Sequence, residues 1–379
     1  MRESFAENIF RKIYVGINDK RGNSLMIIFS PGPGNISERV RKALLKPDIC
    51  HRDKEFSDIL RSSENLLLDI LKLKRGYRSI FLCGSGTAAI DSVISSFGGH
   101  EKKLFIISNG IYGERAAAIA RTYNIKIEEM KLRWGSIPDL NIIENRLKNN
   151  NIGAIYIVHH ETTTGLINPL GELCAMAKRR KKLVLVDAVG SIAGEVLDIR
   201  RWGIDAAIGS ANKCIRGVPG ISFVIASERL LKTIKKCQSR SFYTNLLSHV
   251  KSEENGQTPF TPPVHVFYAF LEALHELKEE GVNRRIQRYQ KITGLLRDGL
   301  KRLDIRFLLP EGLMSNTMTV VYIPHKHSYT ELHDKFKKRG FVIYASQGAL
   351  SYTTFRLGTV GIISKEDIEQ FLKIFKSLL

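Results

Sequence analysis

SIFLCGSGTAAIDSVISSF, residues 79–97, joins an apolar run to a glycine turn and then to a helical spacing of apolar residues. The run 79–83 has no polar alternation, as expected of a strand buried on both faces of a sheet. Gly84-Ser85-Gly86-Thr87 makes the turn, and 88–97 reads as a helix. The same unit recurs on either side. LFIIS at 104–108 reads as a strand before a helix at 114–123, and AIYIV at 154–158 as a strand before a helix at 170–180. LVLV at 183–186 and SFVIA at 222–226 add two more strands. Strand–helix repetition predicts an α/β fold with a mostly parallel, doubly wound sheet flanked by helices. From about residue 264 the pattern changes. Helices are expected at 264–279, 282–301 and 330–339 and from residue 365, among strands at 317–323, 341–344 and 354–358. The expected division is an N-terminal segment (1–40), a large domain (41–279) and a smaller α+β C-terminal domain (280–379).

Composition excludes several classes. The 379 residues carry 58 Lys+Arg against 38 Asp+Glu, a net charge of +20. With 43% hydrophobic and 25% charged residues the balance is globular, so disorder is excluded as the main reading. The charge suggests anionic partners. The basic run Lys178-Arg179-Arg180-Lys181-Lys182 has no binding motif or interleaved aromatics around it. It ends an expected helix, where cations suit the dipole. A specific nucleic-acid function is therefore the distant alternative. Five cysteines, odd in number and widely spaced without a CxxC pair, imply neither a disulfide framework nor structural zinc. The first twenty residues lack a signal-peptide core, and no run of about 18 apolar residues occurs. A soluble, cytoplasmic protein without membrane association is expected.

Ligands of such sheets bind at the carboxyl ends of the strands, so the polar residues there carry the functional reading. Ser85, Gly86 and Thr87 form either a phosphate cradle at a helix start or an ordinary N-cap. Tyr112 could stack on a flat ligand or pack in the core. His159-His160-Glu161 lacks a metal-site spacing, and no metal is expected. Thr162, Thr163 and Thr164 offer hydroxyls to a ligand or to a turn. Asp187, behind an apolar run, needs a cationic partner or caps the following segment. Lys213, in SANKCIRGVPG, is either a desolvated nucleophile or a solvated surface lysine. Taken together they suit pyridoxal 5'-phosphate: phosphate on the Gly-Ser-Gly-Thr turn, ring beside Tyr112, ring nitrogen on Asp187 and aldehyde on Lys213.

With these motifs, the chain resembles the class V, fold-type I pyridoxal-phosphate aminotransferases, and most closely their 2-aminoethylphosphonate–pyruvate subgroup. The resemblance runs from about Phe29 to the C-terminus. It rests on SPGPGNIS, CGSGTAAID, SNGIYGER, HHETTTGLINPL, VDAVGSIAGE, SANKCIRGVPG, PFTPPVH and FRLGTVG. It implies that Lys213 is the cofactor-bonding lysine and that Asp187 partners the ring nitrogen. Ser85, Gly86, Thr87 and Asn212 would surround the phosphate, Tyr112 would stack on the ring, and Thr162 would meet its phenolic oxygen. Thr261 would reach the phosphate of a neighbouring subunit, which implies a homodimer with shared active sites. Arg356 would grip the substrate anion, and Arg216 is a candidate for added phosphonate contact. The implied reaction transfers the amino group of an aminophosphonate to a 2-oxo acid, in either direction. A serine- or alanine-glyoxylate-type aminotransferase is the alternative.

Overall fold

The computed structural model describes residues 26–379. The reading of the first twenty residues falls outside them, as does most of the expected N-terminal segment.

The central sheet has seven strands: β1 (Tyr77–Cys83), β2 (Lys103–Ser108), β3 (Ile127–Lys131), β4 (Ile152–Val158), β5 (Leu183–Asp187), β6 (Ala206–Ser210) and β7 (Ile221–Ser227). Their spatial order is β1-β7-β6-β5-β4-β2-β3. The pairs β6–β5, β5–β4, β4–β2 and β2–β3 are parallel. β7 is antiparallel to both of its neighbours. The run at 222–226 is thus a buried strand as expected, but it runs against the others. The reason is chain length: residues 211–220 alone join β6 to β7, too few for the helical crossover a parallel pair needs. That short connection carries Lys213.

Alternate residues of each strand enter different cores. Phe81, Ile107, Ile155, Val184 and Phe223 face one, and Ile80, Ile106, Tyr156, Leu185 and Val224 the other. Helices cover both faces, which is why the strands read as unbroken apolar runs. Helix α1 (Gly86–Ser95) follows β1, α2 (Ile111–Thr122) follows β2, and α3 (Leu170–Arg179) precedes β5. β3 and β6 escape the sequence reading. β3 is IEEMK, an edge strand half open to solvent, and β6 is AAIGS, whose small residues carry little strand signal.

Two long helices, α4 (Val264–Glu280) and α5 (Val282–Arg302), lead to a second sheet. It pairs β8 (Met318–Tyr322) and β9 (Tyr344–Ala345) on either side of β10 (Thr354–Gly358), all antiparallel. Helices α6 (Tyr329–Lys337) and α7 (Lys365–Leu378) pack with it around Phe336, Phe355, Phe371 and Phe375. Phe29, early in the described chain, joins this core.

Candidate active site

The carboxyl ends of β1, β2, β4, β5 and β6 converge on one place. After β1, Ser85 stands at the N-cap of α1 in extended conformation, and its side chain makes no capping bond. It is therefore free to meet a ligand, as are the first amides of α1, which have no partners inside the helix. The turn is tight: a Cβ on Gly86 would come within 2.9 Å of Val189 Cγ2 and 3.6 Å of Ser210 Cβ. Gly84 N–H donates to Gly220 O at 2.8 Å, tying this turn to the far end of the Lys213 loop.

After β5, the Asp187 carboxylate is 3% exposed and accepts from Val189 N–H at 3.0 Å. Burial pushes its pKa up to about 6, while the Val189 amide, Arg115 and Lys213 work in the other direction. No ion pair reaches it among the described residues. After β6, the partly buried Lys213 Nζ donates to Pro31 O at 2.9 Å and Gly32 O at 3.2 Å. Burial lowers its pKa to about 8, with Arg356 and Arg115 adding to the effect against Asp187. Gly32 sits at φ +110°, and a Cβ there would lie 2.5 Å from Lys213 Cδ. Only glycine gives the strap 31–34 this path over the lysine. SPGPG was legible as a motif, but its contact with Lys213 was not.

Arg356 is central in β10 and 1% exposed. Its Nε and Nη2 donate to Ala345 O at 2.9 and 2.7 Å, and its Nη1 to Thr162 O at 3.2 Å. The guanidinium lies 4.9 Å from the Tyr344 ring centroid. Every oxygen it bonds is neutral, and no carboxylate forms an ion pair with it among the described residues; Glu161 acts on it only through space. Such a group is costly unless an anion reaches it.

Arg115 escaped the sequence reading. Its guanidinium lies 4.7 Å from the Tyr112 ring centroid, and Nη1 donates to Thr87 Oγ1 at 3.1 Å. One α2 residue thereby links the ring-stacking candidate to the cradle. The signal was its spacing from Tyr112, which puts both on one helix face. Asn212 approaches the cradle through a hydrogen bond from Ser210 Oγ to its Oδ1.

One expected residue, Arg216, has its partners elsewhere. Arg216 directs Nη2 to Glu280 at 3.1 Å, where Arg285 and Arg288 also converge at 2.7 and 2.8 Å. Arg285 in turn donates to Cys214 O and Ile215 O at 3.1 Å each. The cluster buttresses the Lys213 loop from behind, and Arg216 has partners there rather than beside Lys213 or Arg356. The single sequence position could not reveal Glu280 as its partner. Thr261 is exposed. His159 and His160 are buried, and burial lowers their pKa values to about 3 and about 4. No metal-holding group of three side chains occurs among the described residues.

A buried carboxylate, a depressed lysine amine and an anion cradle fit pyridoxal 5'-phosphate in donor chemistry: acceptor for a ring N–H, nucleophile for an aldehyde, donors for a phosphate. The fold is that of the fold-type I pyridoxal-phosphate transferases. The class V aminotransferase family profile matches residues 40–348. A 2-aminoethylphosphonate–pyruvate transaminase of Vibrio vulnificus is 38% identical over 91% of this chain and 95% of its own length. That of Syntrophobacter fumaroxidans is 35% identical, over 93% and 96%. The crystal structure of a ureidoglycine–glyoxylate aminotransferase from Bacillus subtilis matches with a TM-score of 0.86 at 26% identity, covering 95% of this chain and 94% of that one. This chain belongs to the class V aminotransferases, and it is a pyridoxal-phosphate-dependent enzyme.

Proposed function

We propose that this enzyme exchanges the amino group between 2-aminoethylphosphonate and pyruvate, giving phosphonoacetaldehyde and L-alanine, or runs the reverse reaction. The observation that carries this reading is Arg356: a buried guanidinium surrounded by neutral oxygens. A phosphonate and a carboxylate can each supply the missing charge in turn, and a planar guanidinium suits both. The names and high coverage of the curated relatives support the choice of substrate.

Pyridoxal phosphate, when bound, supplies the aldehyde that carries nitrogen and the ring that accepts electrons. The chain supplies the rest. Ser85, the first amides of α1 and Asn212 would hold the cofactor's phosphate. Tyr112 would cover its ring, and Thr162 would offer a hydroxyl to it. Asp187, whose pKa burial pushes up to about 6, would in its ionised form keep a proton on the ring nitrogen. Lys213 Nζ takes a proton from the substrate carbon and returns it on the other side of the transfer. Its lowered pKa, about 8, lets it act as base and acid near neutrality. Arg356 orients the substrate through its anion.

The enzyme acts as a homodimer in the cytoplasm, with Thr261 completing the partner's phosphate site. Exposed aromatics support this. Phe242 is 85% exposed, and Tyr243 stacks on Phe260 at 4.6 Å, beside Thr261. A substrate panel tests the function. Alanine should form from pyruvate with 2-aminoethylphosphonate, and L-serine or alanine with glyoxylate should react poorly. The opposite ranking would replace this reading with a glyoxylate-type aminotransferase.

A further inference from the structure

Helix α2 carries Tyr112 and Arg115, yet its N-cap, Gly110, offers no side chain to the helix amides. The first turn is served from another strand end. Ile111 N–H donates to Thr163 Oγ1 at 3.2 Å, and Tyr112 N–H to Glu161 Oε2 at 3.2 Å. Thr163 in turn donates to Glu161 Oε1, from Oγ1 at 2.5 Å and from its amide at 3.2 Å. Both side chains are 0% exposed. The carboxylate lies so close that a Cβ on Gly110 would stand 2.3 Å from its Cδ.

We infer that Glu161 is a positioning residue for the cofactor face: with Thr163 it caps α2 from outside and so fixes where Tyr112 stands. The geometry suits a carboxylate: both oxygens receive donors, from the Tyr112 amide on one side and from Thr163 on the other. Burial pushes its pKa up to about 7, and these donors work against that rise, as does the positive end of the helix it caps. An amide could satisfy Thr163 but would turn an N–H against the Tyr112 amide. From Tyr112 the constraint passes to Arg115 through the ring face and on to Thr87 in the cradle. Glu161 need not touch cofactor or substrate. The inference rests on the reading that Tyr112 covers the cofactor ring.

The test is pyridoxal-phosphate affinity and the visible circular dichroism of the bound cofactor, in a double-mutant cycle of Glu161→Gln and Tyr112→Ala. Glu161→Gln should fold normally by far-ultraviolet dichroism, weaken cofactor binding about tenfold and alter the visible band. In the Tyr112→Ala background the same change should cost almost nothing more, because the group it positions is gone. Thr163→Val should behave as Glu161→Gln does, which keeps the test open if one variant folds poorly. Wild-type affinity and an unchanged band in Glu161→Gln would overturn the inference, and so would an equal loss in both backgrounds. If Tyr112→Ala itself binds cofactor as tightly as wild type, the reading of Tyr112 fails and the inference falls with it.

Discussion

Lys213 Nζ is held between two carbonyls, and its nearest full charges include the cation Arg356. Carbonyl acceptors stabilise the ammonium form, but burial outweighs them and the pKa falls to about 8. For a base, a lowered pKa means that the neutral amine dominates above about pH 8 and declines tenfold per unit below it. The rate at which apoenzyme captures pyridoxal phosphate, followed by absorbance, should rise with pH and level off near 8. An inflection at the ordinary lysine value would mean a solvated amine. Arg356→Leu removes a cation that depresses this pKa, so its inflection should move upward. At this scale the sequence yielded Lys213 and Asp187 as residue types at strand ends, and Arg356 through the family resemblance. It could not yield the contact of Arg115 with Thr87 on another helix, or the pairing of Arg216 with Glu280.

The junction of β1 with α1 shows how an element builds the phosphate cradle. The turn can pack against Val189 and Ser210 as closely as it does because Gly86 carries no Cβ. Gly86→Ala should force the stiff Val189 side chain aside at a cost of about 1–3 kcal/mol. Its effect should be selective: pyridoxal phosphate should bind at least tenfold more weakly, whereas pyridoxal without phosphate should lose little. Equal losses for both would place the phosphate elsewhere. Strand β7 teaches a different lesson about elements. Its composition marked it as buried, which it is, but direction follows from the length of the 211–220 connection and not from composition. The basic run after α3 is similarly mixed. Arg179 and Arg180 pair with Glu144, and Lys182 Nζ donates to Asn149 O and Ile152 O. Three of its five cations thus have partners within the chain.

On the scale of the whole molecule, two cores must keep Arg356 and Lys213 in register, and buried polar ties join them. Glu195, from the loop after Asp187, accepts from Asn316 N and Nδ2, each at 2.6 Å. The strap from Ser30 to Gly34 packs on Gly358 and Gly361 beyond β10 and also covers Lys213. A second copy would complete the site through Thr261. Phe242→Asp places a charge in the exposed aromatic patch beside it and should shift the protein toward monomer in sedimentation velocity, with weaker cofactor retention. A dimer undisturbed by that change would put the shared surface elsewhere.

Unbroken apolar runs, glycine turns and the polar residue following each run are local properties, and from them the sequence alone determined the α/β class, the cofactor chemistry and the residues at the strand ends. Strand direction, the unpaired charge of Arg356, the Glu161–Thr163 cap on a distant helix and the lowered pKa of Lys213 needed the tertiary structure. Each depends on what lies across space from a residue, because burial and hydrogen-bond partners come from elements remote in the chain.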